Sequence, residues 1–544
     1  MKKTLLALFL VLFQDSFAQL QIWGVNTQSD FTNEATAMAF DANNNLYVTG
    51  YITGESAFNP NVTFSSAQGN GDIYVAKYSP TGSLIWVKKI GGAMSDRAYD
   101  IKVDNNGDIV VSGQYFGTVD FGGQTLQSIS NSKDIFVVKM NPQGDVLWAV
   151  SEGGALGDNM YALAIDQQNN VILTGQFAGS IEIAGQTFNS LVNPDLNQPS
   201  YDIFVSKYDS NGTPLWAIHG AAKYEDRGMA LDTDTENNIY LAGQFSDTLQ
   251  FAGQTYNNSG YNVGFIAKLN PSGQIQWFNR MTAGMVLPYD LVVGNDNQIS
   301  VCGDFLGNLM HHGTSSTQTL THDFARKVFV STVNSNGQVQ WQRALGSDSE
   351  ISARGIARHD NQIYVTGHFR CALTELQQNG TALFNSVGFR DIYLWNLNAS
   401  GTSLQTKQMG GRKNDYAYDI QVNSVGQPFI CGSYINTLFA PLSTNGQLTN
   451  TPNSFGLSNS IHSGYYHLFG DESANSFVSN ALNSQTLNYN YFYSQPTDSL
   501  NGFISLEDTV HICVSGTIGY NTQTDYIAGP DYIFLWNTGS VGQS

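Results

Sequence analysis

Cysteine is scarce in this chain: Cys302, Cys371, Cys431 and Cys513 are the only four in 544 residues. So few exclude a disulfide scaffold as the source of stability, even where an exported protein could form bridges. Charge is scarce as well, at 12% of residues, and its basic part scarcer: 24 Lys and Arg face 44 Asp and Glu, a formal net charge of −20. That balance argues against nucleic acid or an anionic membrane surface as partner, since binding there needs clustered cations. Solubility outside a cell explains the acidity better than an acidic binding face does. Beyond the first eighteen residues no apolar run is long enough to cross a bilayer as a helix. Catalytic signatures are missing too, with no nucleophile elbow, Ser/His/Asp order, HExxH helix or phosphate loop. The chain is therefore read as non-enzymatic and without a cofactor.

What is present is glycine, 54 residues, and aromatic side chains, 12% of the total, a composition that suits an all-β protein with many tight turns. The N-terminus reads as a signal peptide over residues 1–18: Lys2 and Lys3, an apolar run at 5–13, and Ser16-Phe17-Ala18 before a mature start at Gln19. The rest repeats. Tyr161-Ala-Leu-Ala-Ile-Asp echoes Tyr99-Asp-Ile-Lys-Val-Asp, and Asp202-Ile-Phe-Val-Ser-Lys echoes Asp134-Ile-Phe-Val-Val-Lys. A period of about sixty residues is the mark of a repeat architecture.

Each unit predicts four short strands, in the second unit at 99–104, 109–113, 134–140 and 146–150, bounded by Asn, Gly, Pro and Asp. Runs such as Ile109-Val-Val and Ile135-Phe-Val-Val are continuously apolar, as in strands covered on both faces. The fourth strand carries Trp86, Trp148, Trp216, Trp277 or Trp341, each four residues after a turn glycine. A strand-two glycine occurs seven times, at Gly50, Gly113, Gly175, Gly243, Gly303, Gly367 and Gly432. The seventh unit lacks a clear fourth strand, whereas residues 20–25, with Trp23, supply one at the other end of the chain. Pairing the two would leave no exposed sheet edge. The prediction is a seven-bladed β-propeller of four-stranded blades over 19–472, closed by its N-terminal strand. Only the connection from strand two to strand three varies, from 22 residues between Gly113 and Ile135 to 28 between Gly175 and Ile203. Its face is where recognition loops are expected. Gly-Gln-Thr at Gly123, Gly185 and Gly253 reads as a small structural hairpin inserted there.

The pattern Tyr-Asp-Ile-x-Val-Asp-x-x-Gly, Val-x-x-Gly-Gln-Tyr/Phe, Asp-Ile-Phe-Val-x-Lys and Gly-x-x-x-Trp resembles the seven-bladed β-propeller (SBBP) repeat family of exported bacterial proteins. The resemblance implies fold and secretion; that family has no single activity or shared catalytic residue to carry over. Residues 473–505 read as the end of the last blade and a linker. From 506 to 544, Asp508-Thr-Val-His-Ile-Cys513 and Leu535-Trp-Asn-Thr-Gly539 resemble the first half of the Ig-like module of gliding-motility-associated and type IX secretion substrates of the Bacteroidetes. About a hundred residues would be needed for the whole β-sandwich, so a continuation beyond Ser544 is expected.

Candidate site residues follow from the repeat. Asp96, Asp158, Asp226 and Asp415 stand five residues before the strand-one anchor and could face a central channel. The plainer reading is that each caps its own turn. Turns such as Asp104-Asn-Asn-Gly-Asp108 lack the full spacing of a calcium loop and read as tight hairpins. His311, His312, His322 and His368 could meet on one face as a metal site, with His359 on the opposite one, but no cysteine or supporting pattern accompanies them. Cys302 and Cys431 fill the same slot of two non-adjacent units and read as small buried hydrophobes. Tyr256, Tyr261 and Phe324 are aromatic loop residues able to contact a ligand.

The function expected is an exported, cell-surface binding or adhesion module. It would recognise an extracellular glycan or protein through loops on one face, as a monomeric propeller within a longer surface protein. The alternative is a carbohydrate-active propeller enzyme using carboxylates in the funnel. N-terminal sequencing of the exported product should begin at Gln19; a product still carrying Lys2 and Lys3 would refute the targeting reading.

Overall fold

The computed structural model describes residues 33–435, apart from 60, 67–70, 259–261, 322–324, 376–381, 387–388 and 411–413, together with 24–26, 28–29, 474–480, 526–529 and 532–535. Apolar β-branched and aromatic runs separated by glycine and asparagine turns form antiparallel meanders. In the second blade these strands are Arg97–Val103, Ile109–Phe116, Lys133–Met140 and Val146–Gly154. The chain is an all-β propeller, and among the described residues it has six such four-stranded blades, whose first strands are Asn33–Phe40, Arg97–Val103, Asn159–Ile165, Arg227–Thr233, Met285–Val293 and Ile351–His359. No helix among the described residues is long and apolar enough to cross a membrane.

A further pair, Asp415–Val422 with Pro428–Ile435, follows the sixth blade, and backbone pairing continues from it through Ala474–Asn480 to Gly24–Asn26. Gly24 faces Ser479 in that register, and residues 20–23 of the expected closing strand lie outside the described residues. Of the expected Ig-like module, the pair Tyr526–Gly529 and Tyr532–Leu535 is described, and the linker at 481–505 is not.

The core lies between blades. Tyr47 and Val75 of the first blade pack with Ile101, Val111 and Phe136 of the second, all buried, which is why the second and third strands are apolar on both faces. Cys302 and Cys431 are free and buried, within such clusters. The strand-four tryptophans latch successive blades: Trp86 Nε1 donates to the Pro142 carbonyl at 3.2 Å, and Trp148 Nε1 to that of Ser210 at 3.1 Å. The motif glycines Gly144, Gly212, Gly273 and Gly337 each serve the neighbour. Gly144, at φ +81°, lies against the Trp86 ring, where a Cβ would approach to 3.2 Å. Beside the tryptophan, Lys139 Nζ reaches Asp104 at 2.7 Å with both side chains buried, and Lys207 reaches Asp166 at 2.8 Å. The aspartates of the strand-one to strand-two turns are thus neutralised from within their own blades.

The variable connections go to a different place from the one expected. Ser180–Ile183 and Gln186–Asn189, in the third unit, form a hairpin that pairs with the outer strand of the second blade, Gly153 facing Glu182. The same arrangement makes four of the blades six-stranded. A fourth strand otherwise presents unpaired N–H and C=O groups at a sheet edge, and the hairpin extends pairing over its last two residues, Gly153 and Gly154.

Strand one carries the constraint that shapes the axis. Its register against strand two slips by one residue in every unit, leaving Thr36, Tyr99, Tyr161, Met229, Tyr289, Arg354 and Tyr418 as bulged residues. The slip drives a strand-one carbonyl against the strand-two glycine. A Cβ on Gly113 would fall inside van der Waals contact of the Arg97 carbonyl oxygen, and one on Gly367 inside that of Ser352. Gly113→Ala should therefore lower stability by about 2–3 kcal/mol through overpacking. At Gly185, where φ is +71° and nothing lies within 4 Å, alanine should cost only about 1 kcal/mol of backbone strain. Equal shifts of the urea midpoint for the two variants would remove the bulge as the constraint.

Candidate functional site: the axial bore

First strands touch one another around the axis, Asn33–Phe40 against Arg97–Val103, and so on to Asp415–Val422, which also touches Asn33–Phe40. The bulged residues are half-buried although the residue before each is buried, as expected of side chains re-aimed into an open bore. They form a belt of four tyrosines, one arginine, one threonine and one methionine. Its members interact electrostatically from unit to unit: Tyr99 with Tyr161, Tyr289 with Arg227 and Arg354, and Tyr418 with Arg354 and with Glu34 of the first unit.

Arginines gather at this level. The Arg354 guanidinium lies 4.6 Å from the Tyr289 ring centroid and that of Arg97 4.3 Å from the Tyr51 ring, within cation–π range. Arg390 donates to the Tyr416 hydroxyl at 2.8 Å and pairs with Glu350 at 2.6 Å, and Tyr416 lies parallel to Tyr418, 6.2 Å between centroids. Arg326 stands 3.4 Å from Asp304, and Arg227 pairs with Glu225 at 2.7 Å. Burial, then Arg354, Arg390 and Arg326, push His368 well below the usual histidine value, so it is a neutral member of the wall.

A second belt lies one residue further along strand one. Asp100, Asp290 and Asp419 each accept the anchor N–H of the next unit: Leu163 at 2.8 Å, Ile356 at 2.8 Å and Met38 at 2.9 Å. Asp232 accepts from Val293 at 2.8 Å. These carboxylates staple neighbouring first strands together. Lys102 stands among them, 3.2 Å from Asp100, its side chain a third exposed although protein surrounds it, as befits a group in a solvent-filled bore. Burial pulls its pKa down, but the charges of Asp100, Asp419, Asp290 and Asp232 outweigh that and raise it.

The residues singled out in the sequence sit elsewhere. Asp96, Asp158, Asp226 and Asp415 are fully buried, one per crossover between blades. Asp96 accepts from Gly92 at 2.7 Å and Phe116 at 3.1 Å, Asp158 from Gly154 at 2.9 Å, and Asp226 from Ala222 at 2.6 Å and Ser246 at 3.0 Å. Capping backbone N–H groups is the role the geometry gives Asp96, Asp158 and Asp226, because a carboxylate inside a turn leaves no face for a ligand. Tyr256 lies on the outer-edge hairpin, stacked at 3.8 Å on Phe278 rather than on a recognition face, because that hairpin covers a sheet edge. Tyr261, Phe324 and His322 lie outside the described residues. His311 is buried and bonded to Ser331 at 2.7 Å, while His312 bonds Thr282 at 2.9 Å on the outer hairpin. No three His, Cys, Asp or Glu side chains gather as a cation-holding group among the described residues. The bore belts went unread, though the repeated dipeptides Tyr99-Asp100, Tyr289-Asp290 and Tyr418-Asp419 carry their signal.

No family model matches the chain. Over 234 residues it is 27% identical to the uncharacterized WD repeat-containing protein L264 of Acanthamoeba polyphaga mimivirus, covering 37% of this chain and 16% of that one. Over 154 residues it is 25% identical to the regulatory protein FlaEY of Caulobacter vibrioides, covering 27% of this chain and 15% of that one. The matched segments thus span about a sixth of either curated relative. Among solved structures, a protein of unknown function from Dyadobacter fermentans is similar at a TM-score of 0.34 and 10% identity, over 71% of this chain and 98% of that one.

Buried acids give the fold a testable pH dependence. Burial, opposed by the Ile356 N–H and reinforced by the charge of Asp419, pushes Asp290 up to about 8; burial likewise takes Glu152 and Asp158 to about 8 and Asp202 to about 7. Each holds a proton in the folded chain where the unfolded chain is ionised, so its stabilisation is complete below the ordinary carboxylate value and is lost as pH rises through its folded value. Burial pushes His311 down to about 3, and its contribution, present above its ordinary value of 6.5, is lost as pH falls below that. Four such acids outweigh the one histidine, so stability should fall as pH rises from the ordinary carboxylate range to about 8. Tm should fall between pH 6.5 and 8.5, and Asp290→Asn should flatten that fall; a Tm that rises across the interval would contradict the assignment.

Proposed function

We propose that this chain is the propeller of an exported, cell-surface binding module that works without catalysis, and that it meets its glycan or protein ligand at the mouth of the bore. The observation that carries this reading is the belt of Tyr99, Tyr161, Tyr289, Arg354 and Tyr418, delivered to one level by the same bulge in each unit. Half-buried aromatic rings with a few directed polar groups in a concavity are the usual makings of a small-ligand site. The variable connections supply less, because their hairpins cover sheet edges.

Closure at seven blades belongs to the same proposal. It is supported by the Met38 N–H on Asp419, the Asn44 side chain 2.8 Å from Ser424, and the pairing of Gly24–Asn26 with Ala474–Asn480. In this reading the repeat resembles the SBBP family, and the C-terminal segment opens an Ig-like module of the kind carried by type IX secretion substrates of the Bacteroidetes. The signal peptide takes the chain to the cell surface as a monomeric propeller within a longer protein.

Glycan and surface-protein arrays probed with the full chain test it. Binding should be retained by Tyr256→Ala and lost by Tyr161→Ala and Tyr289→Ala, with Tm measured on each variant. Binding indifferent to both bore tyrosines would move the site elsewhere. Turnover of a polysaccharide that Asp290→Asn abolishes would replace the module with a carbohydrate-active enzyme.

A further inference from the structure

The cations of the bore mouth are unequally satisfied. Arg390 is held by Glu350, Arg227 by Glu225, and Arg326 stands beside Asp304. Arg97, at the exposed rim, lies on Tyr51. Arg354 alone occupies a bulge position in the belt, and among the described residues its guanidinium makes no hydrogen bond and has no carboxylate within ion-pair distance. Its Nε is out of solvent without a partner, while its plane rests on the Tyr289 ring and Tyr418 stands in the next unit. Asp304, the acid whose charge Arg354 influences, is already engaged by the Ala353 N–H at 2.9 Å, by Ser352 Oγ at 2.9 Å and by Arg326.

A half-buried guanidinium without an anion is costly in a chain that carries 44 Asp and Glu. Stacked on an aromatic ring, it is also oriented, and its terminal donors form the planar fork that suits a carboxylate or sulfate in bidentate contact. The half-buried tyrosines at the same level supply aromatic surface on which the C–H side of a pyranose ring can stack, a match that a flexible acidic peptide lacks. The net charge of −20 adds a restriction, since a long polyanion is repelled by the molecule as a whole. A short anionic sugar entering the mouth is not: at physiological salt the remote carboxylates are screened beyond about 8 Å, whereas the Arg354 contact is not.

Resting on the reading of the mouth as a binding site, we infer that it takes a short anionic glycan, whose carboxylate or sulfate is received by Arg354 while its sugar rings stack on the tyrosine belt. Calorimetry on the full chain with four probes tests this: trigalacturonate, its full methyl ester, a κ-carrageenan tetrasaccharide and pentaglutamate. One of the two anionic sugars should bind, the choice between them naming carboxylate or sulfate, and the ester should not. Arg354→Met should weaken binding by at least about tenfold and Arg354→Lys by less, because lysine keeps the charge but not the fork. Tyr289→Leu, which removes the ring beneath the guanidinium, should weaken it as well and guards against misfolding of any one variant. An ester bound as tightly as the acid, or an anionic sugar bound equally by Arg354→Met, would overturn the anion role and leave the mouth as a neutral-sugar site. Pentaglutamate bound in preference to both sugars would overturn the glycan class. No binding of any of the four would overturn this inference, while the array result for Tyr161→Ala and Tyr289→Ala would still decide whether the mouth binds something else.

Discussion

The contact between a strand-two glycine and the strand-one carbonyl pressed against it is the constraint from which the axis of this molecule is built. Seven glycines accept seven bulges, and each bulge turns one side chain out of the strand alternation into the bore. Without that slip the strand would direct Tyr99 or Arg354 by the ordinary two-residue period. The bulge also adds local twist where first strands crowd together around the axis. One backbone feature thus serves the packing of the ring and the presentation of the belt.

Charge is distributed in keeping with that geometry. Acids within the fold are anchored by backbone N–H groups: Asp96 and Asp226 at the crossovers, Asp100, Asp290 and Asp419 between first strands. Such carboxylates hold adjacent blades in register, which hydrophobic contact, being non-directional, does less well. Lysines are placed at the tryptophan latches, where Lys139 and Lys207 neutralise turn aspartates. Arginines are placed at the mouth, where a planar cation can both stack on tyrosine and pair with an acid. The lone Lys102 offsets the inner ring of aspartates, so the bore changes from aromatic and cationic at one level to acidic at the next.

Length variation in the repeat marks hairpins that reach a neighbouring blade. The connection from strand two to strand three is the one whose length differs most, and in a propeller it starts on the face where ligands are commonly met. Here additional residues pair with the end of the neighbouring blade's outer strand, as Ser180–Ile183 does with Gly153 and Gly154 of the second blade. Open sheet edges cost more than a longer loop, since each doubling of loop length costs only about 0.6 kcal/mol, whereas an uncovered edge invites association.

The repeat, its four strands, the turn glycines and the tryptophan-bearing outer strand were legible in the sequence because each depends on residues within one unit: apolar runs, glycine at positive φ, and Trp at a constant spacing from its turn. The β-propeller class followed from counting those units. Tertiary structure alone decided what the units do to one another. Gly144 serves Trp86 of the preceding blade, the Gly-Gln-Thr hairpins at Gly185 and Gly253 pair with the outer strand of a blade that is not their own, and Asp100 caps a strand 63 residues later in the chain. The candidate site was hidden for the same reason. Tyr99, Tyr289, Arg354 and Tyr418 look like ordinary members of alternating strands until the slip in register, a property of two strands together, gathers them at one level of the bore.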